Sequence, residues 1–374
     1  MLALLLSISA TSALSFAPEV PLFPVGAVPG EIPGAIGPEY WVNKTTVCEG
    51  VCLPPVPHTP RPRPRALSLL ALNPHLFQPS SPFALAPTLP QRTGYIARQK
   101  RNVSAPTITP FLATNCPPSG CPAVVVAPGG AYMLLSFSME GTDVAERFNA
   151  MGVSAFVLKY RVPQRPAQPG VKGRETFGWA PLQDAQRAMG IVRSRAVEWK
   201  VDPSKIGFNG FSAGGHLTVH IATSWGVRTY PRVDAADDLP CRPDFALPIY
   251  PWKLLLNNDA ASTVLAPEVS NVTAATPPLM IAQNEDDPSA HVENSLMLYY
   301  HLKRSAGRKP SSALHLYPTG GHGFGLCQVE TENKECCDWP LAAQRFMQDQ
   351  GFAPNWPAKP CDGVYDQDGS LQCH

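Results

Sequence analysis

The chain has 374 residues, enough for one large α/β domain with additions at its ends. A formal net charge of +1 leaves no electrostatic footprint for nucleic acid or an anionic membrane surface as partner. Beyond the first residues, no stretch stays apolar long enough to span a bilayer.

Met1 to about Leu14 is apolar, with small residues near its end, Ala10 to Ser15. It reads as a secretory leader over residues 1–15, although the only positive charge before it is the α-amino group. Three glycosylation sequons agree with export: Asn43-Lys-Thr45, Asn102-Val-Ser104 and Asn271-Val-Thr273. So do ten cysteines, an even number. Cys116 and Cys121 flank a short turn of the size a local bridge needs, Cys48 lies near Cys52, and Cys327 lies near Cys336 and Cys337. His partners at metal-ligand spacing are missing, so the cysteines read as disulfides and no metal is expected. The expected location is outside the cell or in the lumen of the secretory pathway.

Residues 16–92 are proline-rich, with Arg61-Pro-Arg-Pro-Arg65 the extreme case. Proline forbids helix interiors and central strands, so this segment is expected to be linker, or coil lying along a wall. Trp41, Cys48 and Cys52 mark a small stapled patch within it. From about Thr93 the pattern changes, and residues 93–351 read as the main folded domain. Pro122 to Ala127 is a continuous apolar run, the signature of a strand buried on both faces. An amphipathic helix follows over Thr142 to Met151, then a strand over Val153 to Tyr160 and a helix over Leu182 to Glu198. Ile206 to Phe211 is a strand and Gly215 to Trp225 a helix. Further strands are predicted over Phe245 to Tyr250, Leu279 to Gln283 and Leu314 to Tyr317, with helices over His291 to Ala306 and Pro340 to Gln350. Strands alternating with helices imply a mostly parallel central sheet with helices on both faces. Residues 352–374, with Cys361 and Cys373, read as a tail tied back by disulfide; Asp366-Gln-Asp-Gly369 is a solvated turn, lacking the other ligands of a calcium loop.

The chemistry gathers at Gly210-Phe-Ser-Ala-Gly214, set between a strand and a helix. That context makes it a nucleophile elbow. Ser212 needs a strained backbone to project above the sheet, and side chains two positions to either side would meet neighbouring backbone. The Ala213 N–H, at the start of the following helix, faces a developing oxyanion. A serine nucleophile requires a base, and the base an orienting acid, here each on the loop after a later strand. His322, in Gly320-Gly-His-Gly323, is the base candidate. The acid is Asp286 or Asp287, with Asp287, before Pro288, preferred and the spare carboxylate solvated. His216 and His291 read as structural. Further oxyanion donors are expected from Gly129, Gly130 and Ala131, directly after the first buried strand.

These stretches resemble the α/β-hydrolase family of bacterial carbohydrate esterases, the acetyl-xylan and feruloyl esterase-like proteins. The resemblance runs from about Val103 to Gln350. It is carried by Val126-Ala-Pro-Gly-Gly-Ala-Tyr132, Leu158-Lys-Tyr-Arg161, Pro181-Leu-Gln-Asp-Ala-Gln-Arg-Ala188, Gly210-Phe-Ser-Ala-Gly-Gly-His216, Asp286-Asp-Pro288 and Pro318-Thr-Gly-Gly-His-Gly-Phe-Gly325. It implies an α/β-hydrolase fold, Ser212 as nucleophile, Asp287 as acid, His322 as base and oxyanion donors around Gly130, Ala131 and Ala213, with no cofactor. Two departures stand out. Gly-Gly-Ala replaces the family's three glycines, and Asp287-Pro-Ser-Ala-His291 replaces its usual acid loop. The insert Pro251 to Pro278 is a short cap, too short for a lipase-like lid. An open site and a small acyl group, acetyl on a sugar or polysaccharide, are therefore expected. Trp252 within it reads as packing, with sugar stacking the alternative. Two rivals remain: a peptidase of the prolyl-oligopeptidase kind, for whose gating domain residues before Thr93 leave little room, and a silent secreted protein on the same fold, which the intact Ser, His and Asp set disfavours.

Overall fold

The structure, a computed structural model of the chain, describes residues 18–30, 37–44, 97–305, 307, 311–327 and 334–353. The leader, Cys48, Cys52 and the tail with Cys361 and Cys373 lie outside them. In chain order the strands and helices are β1 (Val20–Pro21), β2 (Tyr40–Lys44), β3 (Ala97–Arg101), β4 (Thr107–Phe111), β5 (Cys121–Ala127), α1 (Asp143–Ala150), β6 (Ser154–Lys159), α2 (Trp179–Ser194), β7 (Val201–Phe211), α3 (Ala213–Ser224), β8 (Ala246–Ile249), β9 (Met280–Asn284), α4 (Glu293–Arg304), β10 (Ala313–Tyr317) and α5 (Trp339–Asp349).

Eight strands form one sheet in the order β1-β4-β6-β5-β7-β8-β9-β10. From β6 to β10 every pairing is parallel. β4 runs antiparallel to β6, and β1 antiparallel to β4. Every residue of β5 and β6 is buried, as a sheet covered on both sides requires. Phe148 of α1 and Trp339 of α5 meet edge-on at 6.4 Å, and Trp339 also meets Phe211 of β7. This is the mostly parallel sheet expected from the strand–helix alternation, in the α/β-hydrolase architecture that the resemblance implies. The cap insert contains only the three-residue turns Leu256–Asn258 and Pro267–Val269. Its Leu254, Leu255, Leu265 and Val269 are buried against Leu279, Ile281, Leu298 and Leu302, so the insert packs down as a satellite of the core. No helix among the described residues is long and apolar enough to cross a membrane.

Where it is described, the N-terminal stretch lies along the wall of the domain, the second of the two expected arrangements, and adds a short strand that was not expected. Val20–Pro21 adds a strand to the edge of the sheet, and Leu22 and Phe23 are buried. Each such side chain stabilises by about 2 kcal/mol through apolar burial. Two arginines hold the stretch down: Arg187 Nε donates to the Leu22 carbonyl at 2.7 Å, and Arg161, paired in the core with Asp184 at 2.7 Å, donates to the Pro29 carbonyl. Lys159 bridges to Glu19 at 2.9 Å and Glu39 at 3.1 Å. β2 pairs with β3 in a separate antiparallel ribbon.

Candidate active site

Ser212 stands alone between the end of β7 and the first residue of α3, with φ 52° and ψ −114°. Such a backbone costs about 1–3 kcal/mol in a residue with a side chain. The neighbours leave it no alternative. A Cβ on Gly210 would lie 2.1 Å from the Gly214 carbonyl oxygen, and one on Gly214 would lie 2.0 Å from the Ala127 carbonyl oxygen. The turn is pressed against the end of β5, and only glycine fits at both positions. Ser212 N–H donates to the Ile249 carbonyl at 3.1 Å, and its own carbonyl accepts from His216 N–H at 2.9 Å and Trp252 N–H at 3.1 Å.

Two loops bring the partners. His322 follows β10, and its Nε2 lies 2.9 Å from Ser212 Oγ. Asp287 follows β9, and its Oδ2 lies 2.8 Å from His322 Nδ1. An ionised Asp287 keeps the proton on Nδ1, which leaves Nε2 to accept from the serine hydroxyl. The Asp287 side chain is wholly buried. Its other contacts are all donors: Ser289 N–H and Ala290 N–H at 2.8 Å each, and Gln283 Nε2 at 3.2 Å. Gln283 is fixed in turn by Ser295, whose hydroxyl donates to Oε1 at 3.1 Å. Asp286 is exposed, but it is more than a solvated spare. It accepts from Gly321 N–H at 2.8 Å and Gly320 N–H at 3.2 Å, which ties the His322 loop to the Asp287 loop. Asn284 Nδ2 adds a bond to the Gly321 carbonyl at 2.9 Å.

The loop after β5 lies against the serine. One of its expected oxyanion donors is otherwise engaged: Gly129 N–H donates to Glu140 Oε2 at 2.8 Å, inside the protein. Gly129 therefore serves as a close-packing position, where a Cβ would come within 3.0 Å of Ser212 Cβ. The Gly130, Ala131 and Ala213 amides take no acceptor among the described residues. Gly130 has φ 128°, and its Cβ would strike the Leu134 carbonyl at 2.3 Å. Ala131, where the resembled family has glycine, adopts φ 52°, at a cost of about 1 kcal/mol.

The BD-FAE family matches residues 114–235, and the family described as alpha/beta hydrolase fold matches residues 178–326. An acetylxylan esterase of Xylanibacter ruminicola is 32% identical over 58% of this chain and 43% of its own length. Endo-1,4-beta-xylanase B of Butyrivibrio fibrisolvens is 29% identical over 55% of this chain and 33% of its own. The chain thus spans less than half the length of either curated relative. Among solved structures, an acetyl ester-xyloside bifunctional hydrolase from Caldicellulosiruptor lactoaceticus superposes with a TM-score of 0.55 at 29% identity, covering 75% of this chain and 93% of that one. The chain has the α/β-hydrolase fold, and the proteins it is similar to are carbohydrate-esterase-like.

Around the serine the chain carries residues that motif reading did not single out. Glu140 sits behind the loop after β5 and is buried; its Oε1 accepts from the Tyr250 hydroxyl at 2.8 Å. Burial pushes its carboxyl up, opposed by the bond from Tyr250, the nearby His322 and the Gly129 amide. The signal in the sequence was its position: Glu140, Val144 and Phe148 are spaced i, i+4, i+8, so a carboxylate lies on the apolar stripe of the α1 region. On the other side Tyr132 O–H meets His216 Nδ1 at 2.8 Å, and His216 Nε2 lies 3.5 Å from Glu268. His216 thus braces the loop after β5 from α3. His291 is exposed ahead of α4. Trp252 is half-buried and packs edge-on to Phe177 at 6.4 Å, with the Lys253 ammonium 4.0 Å from the Phe177 ring centre. Among the described residues, the atoms close enough together to hold an ion belong to Cys327, Cys336 and Cys337, and there Cys327 and Cys337 are joined to each other.

Proposed function

We propose that this hydrolase is a secreted serine esterase that removes short acyl groups, acetyl foremost, from carbohydrate. The observation that carries the reading is the unbroken run from Ser212 Oγ to His322 Nε2 at 2.9 Å and from His322 Nδ1 to Asp287 at 2.8 Å, mounted on a strained elbow. In the reaction Ser212 Oγ attacks the ester carbonyl while His322 takes its proton. The carbonyl oxygen becomes an oxyanion held by the amides of Ala213 and of Gly130 or Ala131; losing one such donor typically lowers the rate about 10²–10³-fold. Asp287 orients the ring and stabilises the imidazolium. His322 then protonates the departing alcohol, and water, activated by the same ring, releases the acid from the acyl-serine.

The substrate assignment rests on two supports. The cap lies flat on the core and forms no amphipathic lid, which suits a small acyl group on a bulky alcohol. The relatives are an acetylxylan esterase, a xylanase and an acetyl ester-xyloside hydrolase. Export is supported by the apolar leader, the sequons and the cysteine pairs Cys116–Cys121 and Cys327–Cys337. The test is hydrolysis of p-nitrophenyl acetate, butyrate and octanoate beside Ser212→Ala. Turnover that falls with chain length and vanishes in the variant is expected, with acetylated xylan as the next substrate. Folded protein that ignores all three esters but cleaves proline-containing peptides would replace this reading with the peptidase.

A further inference from the structure

The proposed mechanism makes no use of a buried acid that links both halves of the machinery. Glu140 lies in the π-helical turn Ser138–Thr142, just before α1. One carboxylate oxygen accepts from Gly129 N–H at 2.8 Å, in the oxyanion loop. The other accepts from the Tyr250 hydroxyl at 2.8 Å. The Tyr250 oxygen in turn accepts from Gly325 N–H at 3.1 Å, at the far end of the His322 loop. The Tyr250 ring also stands edge-on to His322, with ring centres 5.1 Å apart, and to Phe324 at 4.4 Å. Tyr250 itself adopts φ 36°, a backbone that side-chain-bearing residues rarely take.

We propose that Glu140 is a positioning residue that locks the oxyanion loop and the His322 loop to each other through Gly129 and Tyr250. The inference rests on the serine-esterase reading. Its physical basis is the aim of two donor sets at one reacting carbon. The amides after Gly129 must point at the developing oxyanion, and His322 Nε2 must point at Ser212 Oγ. The two loops leave different strands, β5 and β10, which lie at separate places in the sheet. Glu140 is bonded directly to the first, at Gly129, and reaches the second through the Tyr250 hydroxyl, which accepts from Gly325. Without its acceptor, Gly129 N–H would be stranded in the interior, and that peptide would turn to find another partner. The next amide, Gly130 N–H, turns with it. Small misalignments of this kind are costly, because the donors work only at the position the oxyanion will occupy.

The experiment compares Glu140→Ala, Glu140→Gln and Tyr250→Phe with the wild type and Ser212→Ala. It measures kcat and KM on p-nitrophenyl acetate, the affinity of an alkyl boronic acid that forms a tetrahedral adduct with the serine, and the pH profile of kcat/KM. Glu140→Ala should lose about 10²-fold in kcat with KM within threefold, and boronate affinity should fall in step. Glu140→Gln keeps an oxygen for Gly129 and should recover most of both. Tyr250→Phe keeps the Gly129 bond and frees Gly325; it should lower kcat about tenfold and move the acidic limb of the profile, where the general base is protonated. If Glu140→Ala does not fold, Tyr250→Phe decides. A folded Glu140→Ala or Tyr250→Phe that keeps kcat within threefold, or loses efficiency only through KM, overturns the proposal. A wild type inert toward esters would instead sink the serine-esterase reading itself. Ester turnover that Ser212→Ala abolishes and the Glu140 and Tyr250 variants leave intact would sink only this inference.

Discussion

The elbow and the loops that surround it are held in place by different means. Gly210 and Gly214 are fixed by shape, since nothing larger fits between β7, α3 and the end of β5. The Asp287, His322 and Gly129 loops are fixed by polar bonds, from Asp286, Asn284, Gln283, Glu140 and Tyr250. Steric restraint admits almost no substitution and leaves a short motif in the sequence. Polar restraint uses partners far apart in the chain and leaves none.

The contrast can be broken most sharply at the two adjacent acids. Asp287→Asn should lower kcat about 10³–10⁴-fold, because the amide no longer holds the productive imidazole tautomer, while the melting temperature changes little. Asp286→Ala removes only a tether of the His322 loop, and its loss should be nearer tenfold. Steady-state kinetics with a melting curve for each variant checks both. Equal losses at the two positions would mean that Asp286 shares the role of the acid.

The steric side is tested by Gly214→Ala. Its methyl would meet the Ala127 carbonyl at 2.0 Å and the Pro128 carbonyl at 2.8 Å, both backbone atoms. Destabilisation of on the order of 3 kcal/mol is expected, with loss of activity, measured by chemical denaturation.

A smaller effect sharpens the comparison through pH. His220, on α3 one turn beyond His216, is held neutral, its pKa pushed down to about 3 by burial and by the neighbouring His216. Below the ordinary histidine value near 6.5 the unfolded chain binds a proton that the folded chain refuses. Its contribution is therefore fully present at neutral pH and is lost as pH falls from 6.5 towards 3. One such group gives a slope of at most about 1.4 kcal/mol per pH unit. Unfolding curves at pH 7, 5.5 and 4.5 should show a loss that His220→Leu flattens; an unchanged slope in the variant would assign the acid sensitivity elsewhere.

The same contrast explains what could be read in advance. The elbow, the parallel core strands and the paired Asp and His loops announce themselves through local spacing and apolar runs. β4 did not, because Thr107-Ile-Thr-Pro-Phe111 carries a proline and lies outside the parallel core. The short strand at Val20 was masked by the prolines around it. Asp286 could be read as a carboxylate near the site, but its bonds to Gly320 and Gly321 depend on how two loops meet. Gly129 looked like an oxyanion donor because its glycine pair follows β5 directly. Only the carboxylate eleven residues later, folded back beneath the loop, shows that its amide is spent.

The most direct test of the account is covalent. The folded protein is treated with a p-nitrophenyl alkylphosphonate and digested, and the peptides are mapped by mass spectrometry. The account predicts one adduct, on the peptide that carries Ser212, formed far more slowly in His322→Ala. No incorporation, or incorporation at another residue, would contradict it.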